Sequence, residues 1–194
     1  MVGVNASTMR VDAAASVSRI IEAAKRVFAA GDGSGTLNRI AKEACVGIAT
    51  LYRHFPNRET LAMAVYQQVF IRDIQPIFEE FERTNTPREV LLKLGERLLG
   101  VLDRERGLAV SLGNVAGATH VLVSANIAAL VPAVARAQEA GNLREDIVAE
   151  DIPNLLTMIA AGFGSIPSGP QRRRYLSLLL DSLNPAAAQR LPSV

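Results

Sequence analysis

Residues 36–61 run TLNRIAKEACVGIATLYRHFPNRETL. Thr36 is suited to cap a short helix that carries Leu37, Ile40, Ala41 and Ala44. Cys45-Val46-Gly47 follows as a three-residue turn, and Ile48 to His54 form a second short helix. Pro56 ends that helix, because the residue before a proline is pushed out of the helical region. Asn57 then caps a long helix with Leu61, Val65 and Val69 facing inward, which Pro76 kinks or ends. Two short helices across a tight turn need apolar residues to pin their crossing, and Ile40, Ala41, Val46, Leu51 and Phe55 are placed to do so. With Leu51 inward, Ile48, Ala49, Thr50, Tyr52 and Arg53 spread over the outer faces. Small residues at the helix start let it sit deep in a major groove. Thr50 and Tyr52 offer hydroxyls, and Arg53 a fork of donors, to phosphates or base edges.

Upstream, Val17, Ile20, Ile21, Ala24, Val27 and Phe28 form one stripe of an amphipathic helix. Gly31-Asp-Gly-Ser-Gly35 stops it; with no strand before it and no Gly-Lys-Ser/Thr after it, this is a connector rather than a phosphate loop. Downstream, helical periodicity recurs at about 88–103, 107–117, 121–140, 149–164 and 170–184. Gly141-Asn142 closes the third of these, and Ser165-Ile-Pro-Ser-Gly-Pro170 is a break. No run of alternating β-branched residues is present. The expected fold is all-α with about nine helices: a three-helix helix-turn-helix head at the N-terminus and a helical bundle at the C-terminus.

Composition narrows the chemistry. The chain has 194 residues, 49% hydrophobic and 21% charged, at a formal net charge of +2, which excludes disorder. Residues 1–60 hold eight lysines and arginines against five acids, and the rest is near neutral, so a modestly basic head sits on a near-neutral body. One cysteine excludes an internal disulfide framework and a Cys-rich zinc site, and two histidines, His54 and His120, argue against a His-based metal centre. Neither metal nor cofactor is expected. The apolar stretch from Val121 to Ala135 is broken by Ser124, Asn126 and Pro132, so no membrane association is expected. MVGVNASTMR lacks a basic segment followed by an apolar one, so a secretory signal is not expected and a cytoplasmic location is.

The stretch IAxxAxVGIATLYRHFPxRExL at 40–61 resembles the DNA-binding region of the TetR (tetracycline-repressor) family of bacterial transcriptional regulators, in particular a subgroup whose recognition helix reads GIGTLYRHFP or GVATLYRHFP. The likeness continues more weakly through RAQEAGNLREDIVAEDIPNLLTMI and RRRYLSLLLDSLNP. It implies a homodimer that binds a palindromic operator in double-stranded DNA and is released by an unknown small-molecule ligand, so a repressor rather than an enzyme. It divides the chain into an arm and DNA-binding domain at 1–60 and a ligand-binding and dimerisation domain at 61–194. By position, Thr36 and Asn38 open the first short helix against DNA. Ile48, Ala49, Thr50, Tyr52, Arg53 and His54 occupy the recognition helix, and Arg58 matches a basic residue that grips the backbone. Two positions depart from the family: Cys45 stands where a turn glycine is usual, and Ile48 where many relatives carry lysine.

In the body, Asn114, Thr119, His120 and Asn126 are the polar candidates for a ligand pocket. Ile152, Leu155, Leu156, Ile159 and Phe163, with Tyr175, Leu176, Leu179, Leu180 and Leu183, give stripes wider than one core face needs, which suits a four-helix dimer interface. Arg172-Arg173-Arg174 reads as a solvated helix start. The competing class is an all-α dimer acting as an enzyme or scaffold without DNA binding. An enzyme needs a nucleophile–base pair or a metal cluster, and no recognisable spacing supplies one.

Overall fold

The computed structural model describes residues 6–30, 36–77, 80, 87–162, 166, 169–184 and 186, the side chains of 6–11, 87, 88, 90, 91, 102 and 106 excepted. Ten helices are defined among them: α1 (Ala6–Ala29), α2 (Leu37–Glu43), α3 (Ile48–His54), α4 (Arg58–Asp73), α5 (Pro87–Arg104), α6 (Arg106–Leu112), α7 (Val115–Ser124), α8 (Ile127–Glu139), α9 (Asp151–Gly162) and α10 (Pro170–Asp181). No strand occurs among the described residues, and none of their helices is by itself long and apolar enough to cross a membrane.

The chain forms two compact units, one of residues 1–68 with 104–113, the other of 69–103 with 114–194. The first therefore takes in α6, a segment from the middle of the sequence, and the division expected at 60/61 falls inside α4. In this unit α1 packs on α2 and α6, and α2 on α3. Ile20, Ala24, Val27 and Phe28 of α1 are buried with Ile40, Ala41, Leu51, Phe55 and Leu61. The stripe read from the sequence is thus the core, with Val17 half-buried at its end. The caps form as their residue types demand: Thr36 Oγ1 accepts from the Arg39 amide at 3.2 Å, and Asn57 Oδ1 from the Thr60 amide at 2.8 Å.

The stretch from 106 to 139, whose residues up to Gly113 belong to the first unit and the rest to the second, corrects the expected helix boundaries. Helices were expected over 107–117 and 121–140, with a break around Ala118–His120. The chain breaks instead at Gly113 and at Ala125–Asn126, giving three helices. Gly113 takes φ 68, and Asn114 then caps α7 by accepting from the Gly117 amide at 2.8 Å. Thr119 sits mid-helix, wholly buried, its hydroxyl donating to the Val115 carbonyl at 2.9 Å. At the second break the Asn126 amide donates to the Leu122 carbonyl at 2.8 Å, and α7 and α8 meet at 76°. α7 packs along α9.

Charged pairs join elements that the apolar pattern leaves open. Arg144 donates to Asp146 at 2.6 and 2.8 Å, and its amide to the Leu183 carbonyl at 3.1 Å, which ties the turn after α8 to the end of α10. A cation beside the last carbonyls of a helix complements its dipole. The hydrogen-bonded Asp146 carboxylate holds the Arg144 guanidinium above its usual pKa. At the other end of α10, Arg172 is buried, bonded to Asp103 of α5 and donating to the Ile166 carbonyl at 2.7 Å. Arg173 pairs with Glu96 at 2.7 Å, while Arg174 is exposed. Arg173 is exposed as well, so the solvated helix start expected from the arginine run holds for Arg173 and Arg174 but not for Arg172.

Candidate nucleic-acid interface

Helix α3 is seven residues long and buries one of them, Leu51, completely. Phe55 follows at its C-terminus, also buried. These two fix its rotation, so the opposite faces carry what remains: Ile48, Ala49, Tyr52 and Arg53 exposed, Thr50 and His54 half-buried. Tyr52 is 51% exposed. The helix contains no acid, and its last turn adds Arg53 and His54. A rigid short helix that shows a phenol, a guanidinium and small side chains, without a carboxylate to repel phosphate, has the surface needed to enter a major groove.

Thr36 and Asn38 are exposed at the start of α2, as the DNA-facing reading requires, although the Thr36 hydroxyl also caps its helix. Glu43 of α2 pairs with Arg39 at 3.3 Å and with Arg26 at 3.8 Å. The Arg39 pair lies within α2 and the Arg26 pair joins α2 to α1; such exposed pairs contribute little to stability. Between α2 and α3, Cys45 is exposed with a free thiol and takes φ 52, the conformation that favours glycine.

Arg58 is placed differently from the other expected DNA contacts. It is half-buried, its guanidinium lying over the Phe28 ring at 4.9 Å from the centroid. Its Nε and Nη2 donate to the Ser111 hydroxyl at 3.2 and 2.9 Å. Ser111 lies 53 residues away on α6 and is itself buried. No local spacing signals this partner, and sequence reasoning missed both Ser111 and the role of Phe28 beside it.

The pocket candidates of the body are engaged in local structure. Asn114 and Asn126 hold the two helix breaks, Thr119 bonds to its own helix, and His120 Nδ1 lies 3.5 Å from the Thr157 hydroxyl. The expected dimer residues separate into two sets. Leu176 is core, packed so closely on α5 that a Cβ at Gly95 would lie 3.0 Å from it. Ile152, Leu155, Leu156, Ile159, Leu179, Leu180 and Leu183 line one shallow apolar groove. Tyr175 is exposed nearby in sequence, as are Met158 and Leu178, while Phe163 lies outside the described residues.

The family model for bacterial regulatory proteins of the tetR family matches residues 20–65, the segment that spans α1 to α4. A TetR transcriptional regulator from Streptomyces coelicolor, of known structure, is 32% identical and aligns over 88% of this chain and 99% of its own, with a TM-score of 0.54. A TetR transcription regulatory protein from Mycobacterium vanbaalenii is 28% identical, over 91% of this chain and 99% of its own, with a TM-score of 0.53. An HTH-type transcriptional regulator of Staphylococcus aureus (strain USA300) is 35% identical over 88 residues, 43% of this chain. That match spans about half the length of the curated relative, 48%. The chain belongs to the TetR family of bacterial regulatory proteins.

Proposed function

We infer that this protein is a sequence-specific DNA-binding transcriptional regulator of the repressor type, working as a cytoplasmic homodimer on a palindromic operator. The observation that carries the reading is α3: a helix locked by buried Leu51 and Phe55 that leaves Tyr52 and Arg53 in solvent. In this reading Thr36, Asn38, Ile48, Ala49, Thr50 and His54 complete the surface against DNA. The groove between α9 and α10, with Leu155 and Leu179 half-buried along it, supports a second copy as the partner. A two-fold dimer sets two recognition helices about 34–36 Å apart, in successive major grooves. Residues 1–60 then read DNA, and 61–194 dimerise and bind a small molecule, with Asn114, Thr119, His120 and Asn126 as its polar candidates. A ligand needs only about 1–3 kcal/mol of coupling to change operator affinity by about 5–150-fold.

The test is selection of bound duplexes from a random library by the wild type and by the Tyr52→Ala/Arg53→Ala variant. An enriched palindrome that the variant no longer retains is the expected result. A folded, dimeric wild type that enriches nothing would overturn the reading.

A further inference from the structure

We propose that Arg58 is a positioning residue which latches α6 to the DNA-reading unit, and that it makes no phosphate contact in the DNA-bound state. The proposal rests on the functional reading above and contradicts what the resemblance implies for this one residue. An arginine in the first turn of a helix faces the positive end of the helix dipole, so it needs compensation from elsewhere. Arg58 has it on two sides: the face of the buried Phe28 ring of α1, and the hydroxyl of buried Ser111 of α6.

The hydroxyl is set up for this partner. Ser111 directs its one proton to the Gly107 carbonyl at 2.7 Å, which leaves its oxygen as an acceptor. Arg58 Nε and Nη2 both donate to that oxygen, chelating it from one edge of the guanidinium. The planar fork matches that arrangement, whereas a lysine ammonium would keep the charge but lose the stacking and the paired geometry. α1, the start of α4 and α6 thus meet at one point, within the compact unit that also holds the recognition helix. Arg58 stands four residues beyond His54, the last residue of α3, so whatever fixes Arg58 also fixes the start of α4 directly after the recognition helix. Swinging the guanidinium out to a phosphate would leave the Phe28 face and the buried Ser111 oxygen without their partner.

The experiment uses the full chain and the duplex that the wild type enriches, titrated from about 50 to 200 mM salt. Arg58→Lys, Arg58→Met, Ser111→Ala and the Arg58→Met/Ser111→Ala double variant are compared, with thermal melts as the check on folding. A latch predicts that all three single variants bind about ten-fold more weakly, with the wild-type salt slope, and that the double variant is no worse than either parent. A phosphate contact predicts the opposite: Arg58→Lys near wild type, Arg58→Met with a slope lowered by about one, and Ser111→Ala unchanged. That second pattern overturns the proposal and leaves the functional reading intact. Failure of the wild type to enrich any duplex overturns the functional reading itself, and the latch with it. Ser111→Ala removes a single oxygen, so it carries the test if the Arg58 changes unfold the chain. In that case a folded Ser111→Ala protein with unchanged affinity overturns the latch.

Discussion

Among the described residues Cys45, Gly113, Gly141 and Gly169 hold positive φ, and the turns at Cys45 and Gly113 do it with different residue types. Cys45, φ 52, joins α2 to α3 in the DNA-reading unit; Gly113, φ 68, precedes α7. At Gly113 a Cβ would have nothing within 4 Å, so backbone conformation alone makes glycine the fitting residue there. The head turn adopts the same side of φ with a Cβ present, which costs about 1–2 kcal/mol for an L residue. The turn at Gly113 avoids that cost. The head can carry it because its turn is over-determined: the amides of Ala44, Cys45 and Val46 donate to Ile40, Lys42 and Ala41, and Leu51 and Ile40 are fully buried on either side.

The strongest way to break this comparison is to remove the pin. Leu51→Ala deletes a side chain with 0% exposure where α3 meets the core of its unit. The expected loss is about 2–5 kcal/mol of stability, read as a lower urea midpoint. Binding to the selected duplex should fall with it. A loss under about 1 kcal/mol would mean that the turn, and not the buried face, sets the crossing of α2 and α3.

Why the head was legible in the sequence follows from the same contacts. Thr36, Asn57 and the apolar residues from Ile40 to Phe55 act on neighbours a few positions away, so type and spacing specify their roles. The family resemblance added the function but not the geometry of Arg58, whose partner Ser111 lies on another helix. The body is harder because its breaks rest on single side chains. Asn114 and Asn126 read equally well as pocket polar groups, and their bonds to Gly117 and Leu122 become evident only in the folded chain. Thr119 reads as a further pocket candidate, yet it is buried mid-helix with its hydroxyl bonded back one turn. Likewise Leu176 has the periodicity of an interface residue and is core, because α5 presents Gly95 to it.

Gly113→Ala sharpens the comparison from the glycine side. Since no atom obstructs the added Cβ, the variant measures backbone strain alone. With φ 68 and ψ −42 the position is poor for any L residue, and the expected cost is about 1–3 kcal/mol. A neutral result would show that the turn relaxes to negative φ without loss, and that its glycine is incidental.

Cys45→Gly is the reciprocal change and the smallest effect. Relieving the left-handed Cβ gains about 1–2 kcal/mol, while the greater freedom of glycine in the unfolded chain returns about 0.4–1. The net expectation is a gain between about 0 and about 1.6 kcal/mol, centred on about 0.8, measured as a raised urea midpoint at unchanged slope. Because Cys45 is exposed, no packing loss offsets that gain. If the variant is instead less stable, the thiol contributes more to the turn than its exposure allows, and the two turns are not alike in the backbone. If it is more stable and binds the duplex no worse, the strain at Cys45 has no part in DNA reading, and the glycine usual in the family at this position is the better turn residue on stability alone.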